Sequence, residues 1–137
     1  MNDVKRVRVV LVDDNPAVLR QVAQLLPEEF EIVDMLESGA TLSAAIEEHY
    51  PDFVILDITL PGQSGLALAA QLTRSGCPAR IVFLTVHSDP DYVRAAFDAG
   101  AYGYVVKTRL SLDLVSAMHA ALEGQRFVSP IPELSIE

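Results

Sequence analysis

The sequence predicts an α/β fold in which five parallel strands form one doubly wound sheet, with five helices on its two faces. Five short runs rich in β-branched residues alternate along the chain with helical segments, and the connections between them are short. Right-handed crossovers then place the helices on both faces of an open sheet. The predicted strands are residues 7–12, 31–35, 53–56, 81–84 and 103–106.

The apolar pattern also indicates how deeply each strand is buried. Residues 9–12, 54–56 and 81–84 are apolar without interruption, which is typical of strands covered on both faces of a parallel sheet. Residues 31–35 mix polar and apolar side chains, which favours a position at an edge of the sheet.

Capping residues indicate where the helices begin. Two predicted helices start with an N-cap side chain followed by proline, and two more start at a serine. The N-cap candidates are Asn15, Ser64, Asp89 and Ser111.

Length and composition restrict the function classes. The 137 residues fit one domain, predicted over residues 1–124, with residues 125–137 as a tail or the start of an interdomain linker. The 10 Lys and Arg against 19 Asp and Glu give a net charge of −9, which disfavours direct binding to nucleic acid or to an anionic membrane. The single cysteine permits no internal disulfide, and no signal peptide or membrane span is visible, so we expect a cytoplasmic protein.

Polar side chains follow the predicted strands at the point where each strand ends. Asp13 and Asp14 follow the first strand, Asp57 the third, Thr85 the fourth and Lys107 the fifth. Because ligands in such folds bind beyond the carboxyl ends of the strands, we expect these five side chains to converge. A single Asp, Thr or Lys at a strand end is usually a turn, structural or solvated residue, but the five together favour a functional site.

Three carboxylates in one cleft repel each other, which would raise their pKa values or destabilise the fold. A hard cation, Mg²⁺ or Mn²⁺, resolves this, since it prefers oxygen ligands and often bridges carboxylates to a phosphate. The ammonium of Lys107 and the hydroxyl of Thr85 are suited to phosphoryl oxygens. The set therefore indicates phosphoryl transfer to a carboxylate, with Asp57 as the nucleophile because it stands alone at the centre of the rim.

Four segments carry a resemblance to a known family. They are VVLVDDNP at residues 9–16, VILDITLPGQSG at 54–65, LT at 84–85 and GYVVK at 103–107. In this order and spacing they resemble the receiver domain of bacterial two-component response regulators, over residues 6–124. The resemblance implies a flavodoxin-like fold with strand order 2-1-3-4-5, and a switch that accepts a phosphoryl group from a sensor histidine kinase.

The resemblance also implies a role for each residue at the strand ends. Asp57 would be the phosphoacceptor. Mg²⁺ would be bound directly by Asp14, mainly through water by Asp13, and also by Asp57 and the backbone carbonyl of Thr59. Lys107 would contact the phosphoryl group.

The output of the switch is implied in the same way. Thr85 would move toward the phosphoryl group, and Tyr104 would move inward with it. This movement would change the surface of the fourth helix, fifth strand and fifth helix, through which the protein would form homodimers. Residues 100–130 resemble the receivers that precede a LuxR-type helix-turn-helix domain, the NarL/FixJ group, so we expect a piece of a longer protein rather than a stand-alone receiver.

A few positions near the site depart from the family or flank it. Val86 stands where alanine or glycine is usual, and its branched side chain would narrow access to the phosphoryl group. Thr108 follows Lys107, where many receivers have a proline with a cis bond. His87 and Thr59 flank the site and are candidates for tuning the lifetime of the phosphoryl group.

Two other functions stay open. The first is an atypical receiver that acts only as a protein-interaction or dimerisation module, which Val86 would favour. The second is an aspartyl-phosphate phosphatase, because the residues after Asp57 loosely resemble haloacid dehalogenase motifs, although Thr59 stands where these have a second Asp. The sequence contains neither a P-loop nor a G-x-S-x-G elbow, and we expect no turnover of an external substrate.

Overall fold

The computed structural model describes residues 5–131 and has the predicted alternation of strands and helices. The strands of the main sheet are β1 Val7–Val12, β2 Phe30–Leu36, β3 Phe53–Asp57, β4 Arg80–Thr85, β5 Gly103–Val106 and β6 Phe127–Val128. The helices are α1 Pro16–Leu25, α2 Leu42–His49, α3 Gly65–Arg74, α4 Pro90–Asp98 and α5 Leu110–Leu122. All neighbouring strands are parallel, in the order β2-β1-β3-β4-β5-β6, so the predicted order 2-1-3-4-5 is confirmed.

Each face of the sheet is covered by its own set of helices. Successive residues of a strand point to opposite faces. Val54 and Leu56 therefore pack with α2, α3 and α4, whereas Phe53 and Ile55 pack with α1 and α5. All four side chains are 0% exposed, as the uninterrupted apolar runs predict, and each such burial contributes roughly 1.5–3 kcal/mol. Strand β2 lies at an edge, as its mixed composition predicts.

The sheet has a sixth strand in addition to the five that the sequence predicts. Phe127 pairs with Gly103 and Val128 with Tyr104, both in parallel register. Two residues are too few to give a periodic signal, so this strand forms because the edge of β5 offers it hydrogen-bond partners. The first part of the predicted tail therefore packs on the domain, and residues 132–137 lie outside the described residues.

Three of the four predicted N-caps are confirmed. The side chains of Asn15, Ser64 and Asp89 accept hydrogen bonds from amides in the first turns of α1, α3 and α4. These bonds satisfy donors that a helix start otherwise leaves free. None of the helices between residues 5 and 131 is long and apolar enough to cross a membrane.

The predicted cap at Ser111 is wrong. A short 3-10 turn, Lys107–Arg109, follows β5, and α5 begins at Leu110 with Arg109 in the cap position. The side chain of Lys107 binds Asp57, fifty residues away in the chain, and the side chain of Arg109 binds Asp113 one turn along α5. The first contact depends on the tertiary structure and holds this turn in place before the helix begins. Every peptide bond in the described part of the chain is trans, so the bond between Lys107 and Thr108 has no cis geometry.

The two serines give a matched test of these helix starts. Ser64→Ala removes a hydroxyl that accepts from the amides of Leu66 and Ala67, at 3.1 and 3.4 Å. We expect the free energy of unfolding to fall by ~1 kcal/mol. Ser111→Ala removes an exposed hydroxyl that caps no helix and should leave that free energy unchanged or slightly raised. Urea unfolding measures the free energy of unfolding of both variants. Equal decreases in that free energy would contradict the assignment of Ser64, and not Ser111, as an N-cap.

Candidate functional site

The first acidic residues of the site lie directly after β1. Asp13 is 0% exposed, and its amide continues the pairing with β2 through a 3.0 Å hydrogen bond to the carbonyl of Leu36. Asp13 Oδ1 accepts a 2.9 Å hydrogen bond from the amide of Asn15, the residue that caps α1. Asp14 is exposed. The end of β1 thus provides one buried and one solvated carboxylate.

Asp57 is the last residue of β3 and is 5% exposed. Its Oδ1 atom accepts a 3.0 Å hydrogen bond from the amide of Thr59. The chain then forms a two-stranded hairpin, Thr59–Leu60 with Gln63–Ser64, and returns so closely that the Gly65 amide lies 2.6 Å from the carbonyl of Ile58. A Cβ atom on Gly65 would meet the Asp57 carbonyl oxygen, so only glycine permits this approach.

Lys107 joins the two buried carboxylates. Its Nζ atom donates to Asp57 Oδ2 at 3.0 Å and lies 2.8 Å from Asp13 Oδ2. Burial of the ammonium acts to lower the pKa of Lys107, but the close contacts with Asp13 and Asp57 and the charges of these carboxylates outweigh it and raise the pKa. The lysine is therefore a permanent positive charge at the floor of the cleft.

The three carboxylates are close enough to share a cation. One oxygen from each of Asp13, Asp14 and Asp57 lies within 4.8 Å of the others. Three negative groups face the one ammonium of Lys107, which leaves an excess of negative charge. Burial is the largest effect on Asp13 and raises its pKa, against the lowering by Lys107 and by the amide of Asn15.

The donor set fits a hard divalent cation. Asp13 Oδ2 is buried, and its 2.8 Å contact with Lys107 is an ion pair without the angles of a hydrogen bond, so this oxygen lacks an aligned donor. Carboxylate oxygens with free lone pairs are the ligands that Mg²⁺ prefers. Asp13, Asp14 and Asp57 are the side chains that would hold it.

Thr85 and Tyr104 form a second group beside the carboxylates. Thr85 ends β4 and is 0% exposed, and its hydroxyl accepts a 3.0 Å hydrogen bond from the amide of His87. Tyr104, on β5, is also 0% exposed and donates from its hydroxyl to the carbonyl of His87 at 2.8 Å. Burial raises the pKa of Tyr104 to about 12, against a lowering by the Thr85 hydroxyl. The Tyr104 side chain therefore points inward and stays a hydrogen-bond donor.

The sequence model of the response regulator receiver domain matches residues 9–119. The chain belongs to this family. Receiver domains act as phosphorylation-controlled switches and bind Mg²⁺ at an acidic pocket, and the relatives of this chain are response regulators of the NarL/LuxR type.

Individual relatives agree with this assignment. The transcriptional regulatory protein YvfU of Bacillus subtilis is 32% identical over 126 residues, which cover 90% of this chain and 63% of that protein. NarL of Mycobacterium tuberculosis is 30% identical over 128 residues, which cover 92% of this chain and 59% of that protein. The chain thus spans about three fifths of the length of the curated relatives it matches.

Solved structures of receiver domains are similar over nearly the whole chain. A LuxR-family response regulator from Aurantimonas has a TM-score of 0.82 at 32% identity, covering 94% of this chain and 92% of that one. The isolated receiver domain of RcsB from Salmonella enterica serovar Typhimurium, in the presence of phosphomimetic BeF₃⁻, has a TM-score of 0.87 at 25% identity. That match covers 96% of this chain and 99% of the RcsB domain.

The residues predicted to flank the receiver site contact each other. Thr59 Oγ1 lies 2.9 Å from His87 Nε2, so a side-chain hydrogen bond joins the loop after β3 to the loop after β4. The His87 ring stacks on Tyr92 of α4, with ring centroids 4.1 Å apart and planes 9° apart. Val86 is 69% exposed at the mouth of this loop. Its effect on access to the phosphoryl group stays a prediction.

Two residues of the receiver site gave no signal that sequence analysis could use alone. Gly65 is the last residue of a family motif, but the motif does not indicate why a glycine is needed there. The close approach of its backbone to Asp57 depends on the hairpin between the two residues. Tyr92 lies in the first turn of α4, where an aromatic residue is ordinary, and its stacking partner His87 comes from the loop before the helix. Both contacts depend on how the loops fold back over the sheet.

The raised pKa of Tyr104 predicts a pH dependence of stability. A phenol with a higher pKa in the folded state ionises first in the unfolded state, so stability falls as pH rises from about 10 toward about 12. We expect the parent to lose roughly 1–2 kcal/mol more free energy of unfolding between about pH 9 and pH 11 than Tyr104→Phe does. Urea unfolding at a series of pH values measures this.

The control for that measurement is Tyr50→Phe. Tyr50 is 79% exposed, so this variant should follow the pH profile of the parent. Identical profiles for the parent and Tyr104→Phe would contradict the assignment.

Proposed function

We propose that this receiver domain accepts a phosphoryl group on Asp57 from a sensor histidine kinase and passes the change to an output. The observation that supports Asp57 is the combination of positive and negative groups around its carboxylate. Lys107 Nζ and the amide of Thr59 each donate to one of its oxygens, and the carboxylates of two other residues lie beside it. Asp13 has partners of the same kinds, but its side chain is 0% exposed, whereas Asp57 is 5% exposed, ends a central strand of the sheet and accepts an aligned hydrogen bond from Lys107.

The proposed transfer forms one bond and breaks one. A carboxylate oxygen of Asp57 attacks the phosphorus of a phosphohistidine, the P–N bond breaks, and the imidazole leaves with the bonding electrons. Lys107 then binds a phosphoryl oxygen in place of the carboxylate oxygen it now contacts, which keeps its charge where negative charge accumulates. Bound Mg²⁺ would neutralise charge on the phosphoryl oxygens, held by Asp13, Asp14, Asp57 and the backbone carbonyl of Thr59.

We propose that Thr85 and Tyr104 transmit the change. A phosphoryl group adds a charge of about −2 and new acceptor oxygens close to the end of β4. Thr85 would rotate its hydroxyl toward these oxygens and release the amide of His87. Tyr104 already points inward and donates to the carbonyl of the same residue, so its side chain would shift within the interior as this loop moves, instead of entering from the surface. We expect these movements of Thr85 and Tyr104 to change how the domain binds a partner. We expect no turnover of an external substrate.

The output domain and the partners of this receiver are proposed from its relatives. By the likeness to NarL-type regulators, we propose a LuxR-type helix-turn-helix domain as the output and the cytoplasm as the place of action. The surface of α4, β5 and α5 is the proposed homodimer interface, and in one related structure RcsB dimers are bound to DNA. The net charge of −9 supports a receiver that does not itself contact nucleic acid or a membrane.

The proposed function predicts a covalent adduct. After incubation with acetyl phosphate and Mg²⁺, intact-mass spectrometry should show one added phosphoryl group on the parent. The adduct should be absent from Asp57→Ala and from the parent with EDTA. Asp52→Ala is the matched control, because Asp52 precedes the same strand and its carboxylate contacts the Arg8 amide instead of the cluster.

The absence of an adduct on a folded parent would overturn the proposal. It would favour an atypical receiver that works through protein contacts alone. Val86→Ala would then test whether the branched side chain blocks access, since it restores the residue type usual in the family.

We expect the contact between Thr59 and His87 to lengthen the lifetime of the phosphoryl group. Thr59→Val and His87→Ala each remove one side of a bridge that flanks Asp57, and we expect both to open the site to water. Dephosphorylation should become roughly two- to tenfold faster, the equivalent of one net hydrogen bond. Intact-mass time courses after removal of acetyl phosphate measure the rate. Ser88→Ala, at the exposed neighbour of His87, should match the parent, and unchanged rates in both bridge variants would sink the idea.

A further inference from the structure

Residues 125–131 fold back from α5 onto the edge of β5. The amides of Phe127 and Ser129 donate to the carbonyls of Tyr102 and Tyr104, at 3.0 and 2.9 Å. Ile131 is 4% exposed and packs in the apolar cluster that also contains Tyr104. A segment that ends in a buried isoleucine is docked on the domain by specific contacts.

The hydroxyl of Ser129 has two partners in the interior. Ser129 is 1% exposed, and its Oγ atom donates to Asp113 Oδ2 at 2.8 Å. The same atom accepts from the amide of Val106 at 3.1 Å, which is the last amide of β5. A buried hydroxyl with both functions satisfied leaves two unpaired groups when the segment moves away, so its docking is selective for this arrangement.

Asp113 connects Ser129 to the turn that carries Lys107. The Asp113 side chain is 8% exposed and receives two bonds from Arg109, Nε to Oδ2 at 2.7 Å and Nη2 to Oδ1 at 3.2 Å. Paired contacts between a guanidinium and a carboxylate fix geometry as well as charge. Arg109 is the last residue of the 3-10 turn Lys107–Arg109. We call Arg109, Asp113 and Ser129 the latch.

The latch has no function in phosphoryl transfer itself. Its residues bind one another and the main chain, and Asp57 is in contact with Lys107 at the other end of the turn. What the latch does is tie residues 125–131 to the same short turn that holds the proposed phosphorylation site. The connection is only three residues long, Lys107–Arg109. These residues form one 3-10 turn, which is closed by a hydrogen bond from the Leu110 amide to the Lys107 carbonyl.

We propose that phosphorylation of Asp57 tightens the docking of residues 125–131 through the latch. This inference rests on the proposed function of Asp57. Lys107 contacts Asp13 and Asp57, and phosphorylation replaces the charge of −1 on Asp57 by a charge of about −2, so Lys107 is held more strongly. The turn Lys107–Arg109 is then less free to move, and Arg109 keeps Asp113 in place to bind Ser129.

The coupling is reciprocal by thermodynamic necessity. If phosphorylation strengthens the docking of the segment, the docked segment favours phosphorylation to the same degree. The segment also lies against α4, since the Arg126 guanidinium stands 5.2 Å from the centre of the Phe97 ring. A partner that binds the surface of α4, β5 and α5 therefore meets residues 125–131 as part of that surface, in a state set by Asp57.

Hydrogen exchange at two amides tests the inference. The full chain is incubated with Mg²⁺, with and without acetyl phosphate, and exchange at Phe127 and Ser129 is read by mass spectrometry with fragmentation. In the parent we expect phosphorylation to slow both amides by at least about fivefold. In Arg109→Gln the slowing should be lost, although the bond between Asp113 and Ser129 stays available. Arg94→Gln is the matched control, because it breaks an exposed ion pair to Asp91 on α4, and it should keep the slowing.

Intact mass of the same samples separates the two proposals. No adduct on the parent would overturn the proposed function, and this inference with it. An adduct without slower exchange at Phe127 and Ser129 would overturn the inference alone, as would slowing that persists in Arg109→Gln. Ser129→Ala breaks the other end of the latch and should speed exchange at Phe127 without acetyl phosphate, while unchanged exchange in a folded variant would also count against the latch.

Discussion

The contact of one lysine with two buried carboxylates is the constraint on which the rest of the site depends. Asp13 and Asp57 end the neighbouring strands β1 and β3, whereas Lys107 follows β5, two strands beyond β3. Carboxylates removed from water are unfavourable unless a positive group and hydrogen bonds compensate. The carboxylates are therefore neutralised only if the strands have this order. The long side chain of Lys107 must also reach past the end of β4.

Lys107 compensates only part of the charge, and this deficit is what makes the site chemically useful. Three carboxylates face one ammonium, and Asp13 keeps a buried oxygen without an aligned donor. A cluster of this kind is a strain on the fold that a hard cation relieves. The acidic character of the whole chain, with a net charge of −9, adds to the attraction for cations. Stability and function thus make opposite demands on the same few residues.

Around the cluster, contacts connect the site to two surfaces. His87 has a side-chain contact to Thr59 and a main-chain contact to Tyr104, and it stacks on Tyr92 of α4. On the other side, the 3-10 turn after β5 leads from Lys107 to the latch and the docked segment. Coupling between sites needs elements with discrete arrangements, and both routes consist of hydrogen bonds that are either made or broken. Each route ends on the surface of α4, β5 and α5.

The sequence by itself determined five strands, three helix caps and the residues at the strand ends, because these follow from local apolar patterns and from the rule that parallel strands end at one edge. The order of the strands came only with the resemblance to receiver domains. It also carried the family motifs. Only the tertiary structure decided the strand Phe127–Val128, the start of α5 at Leu110 instead of Ser111, and the contact of Asp113 with Ser129. Each of these is short in sequence, without periodicity, and exists because a distant backbone edge or charge offers it a partner. Local patterns specify which face a residue presents, whereas the partner that it meets depends on the completed sheet.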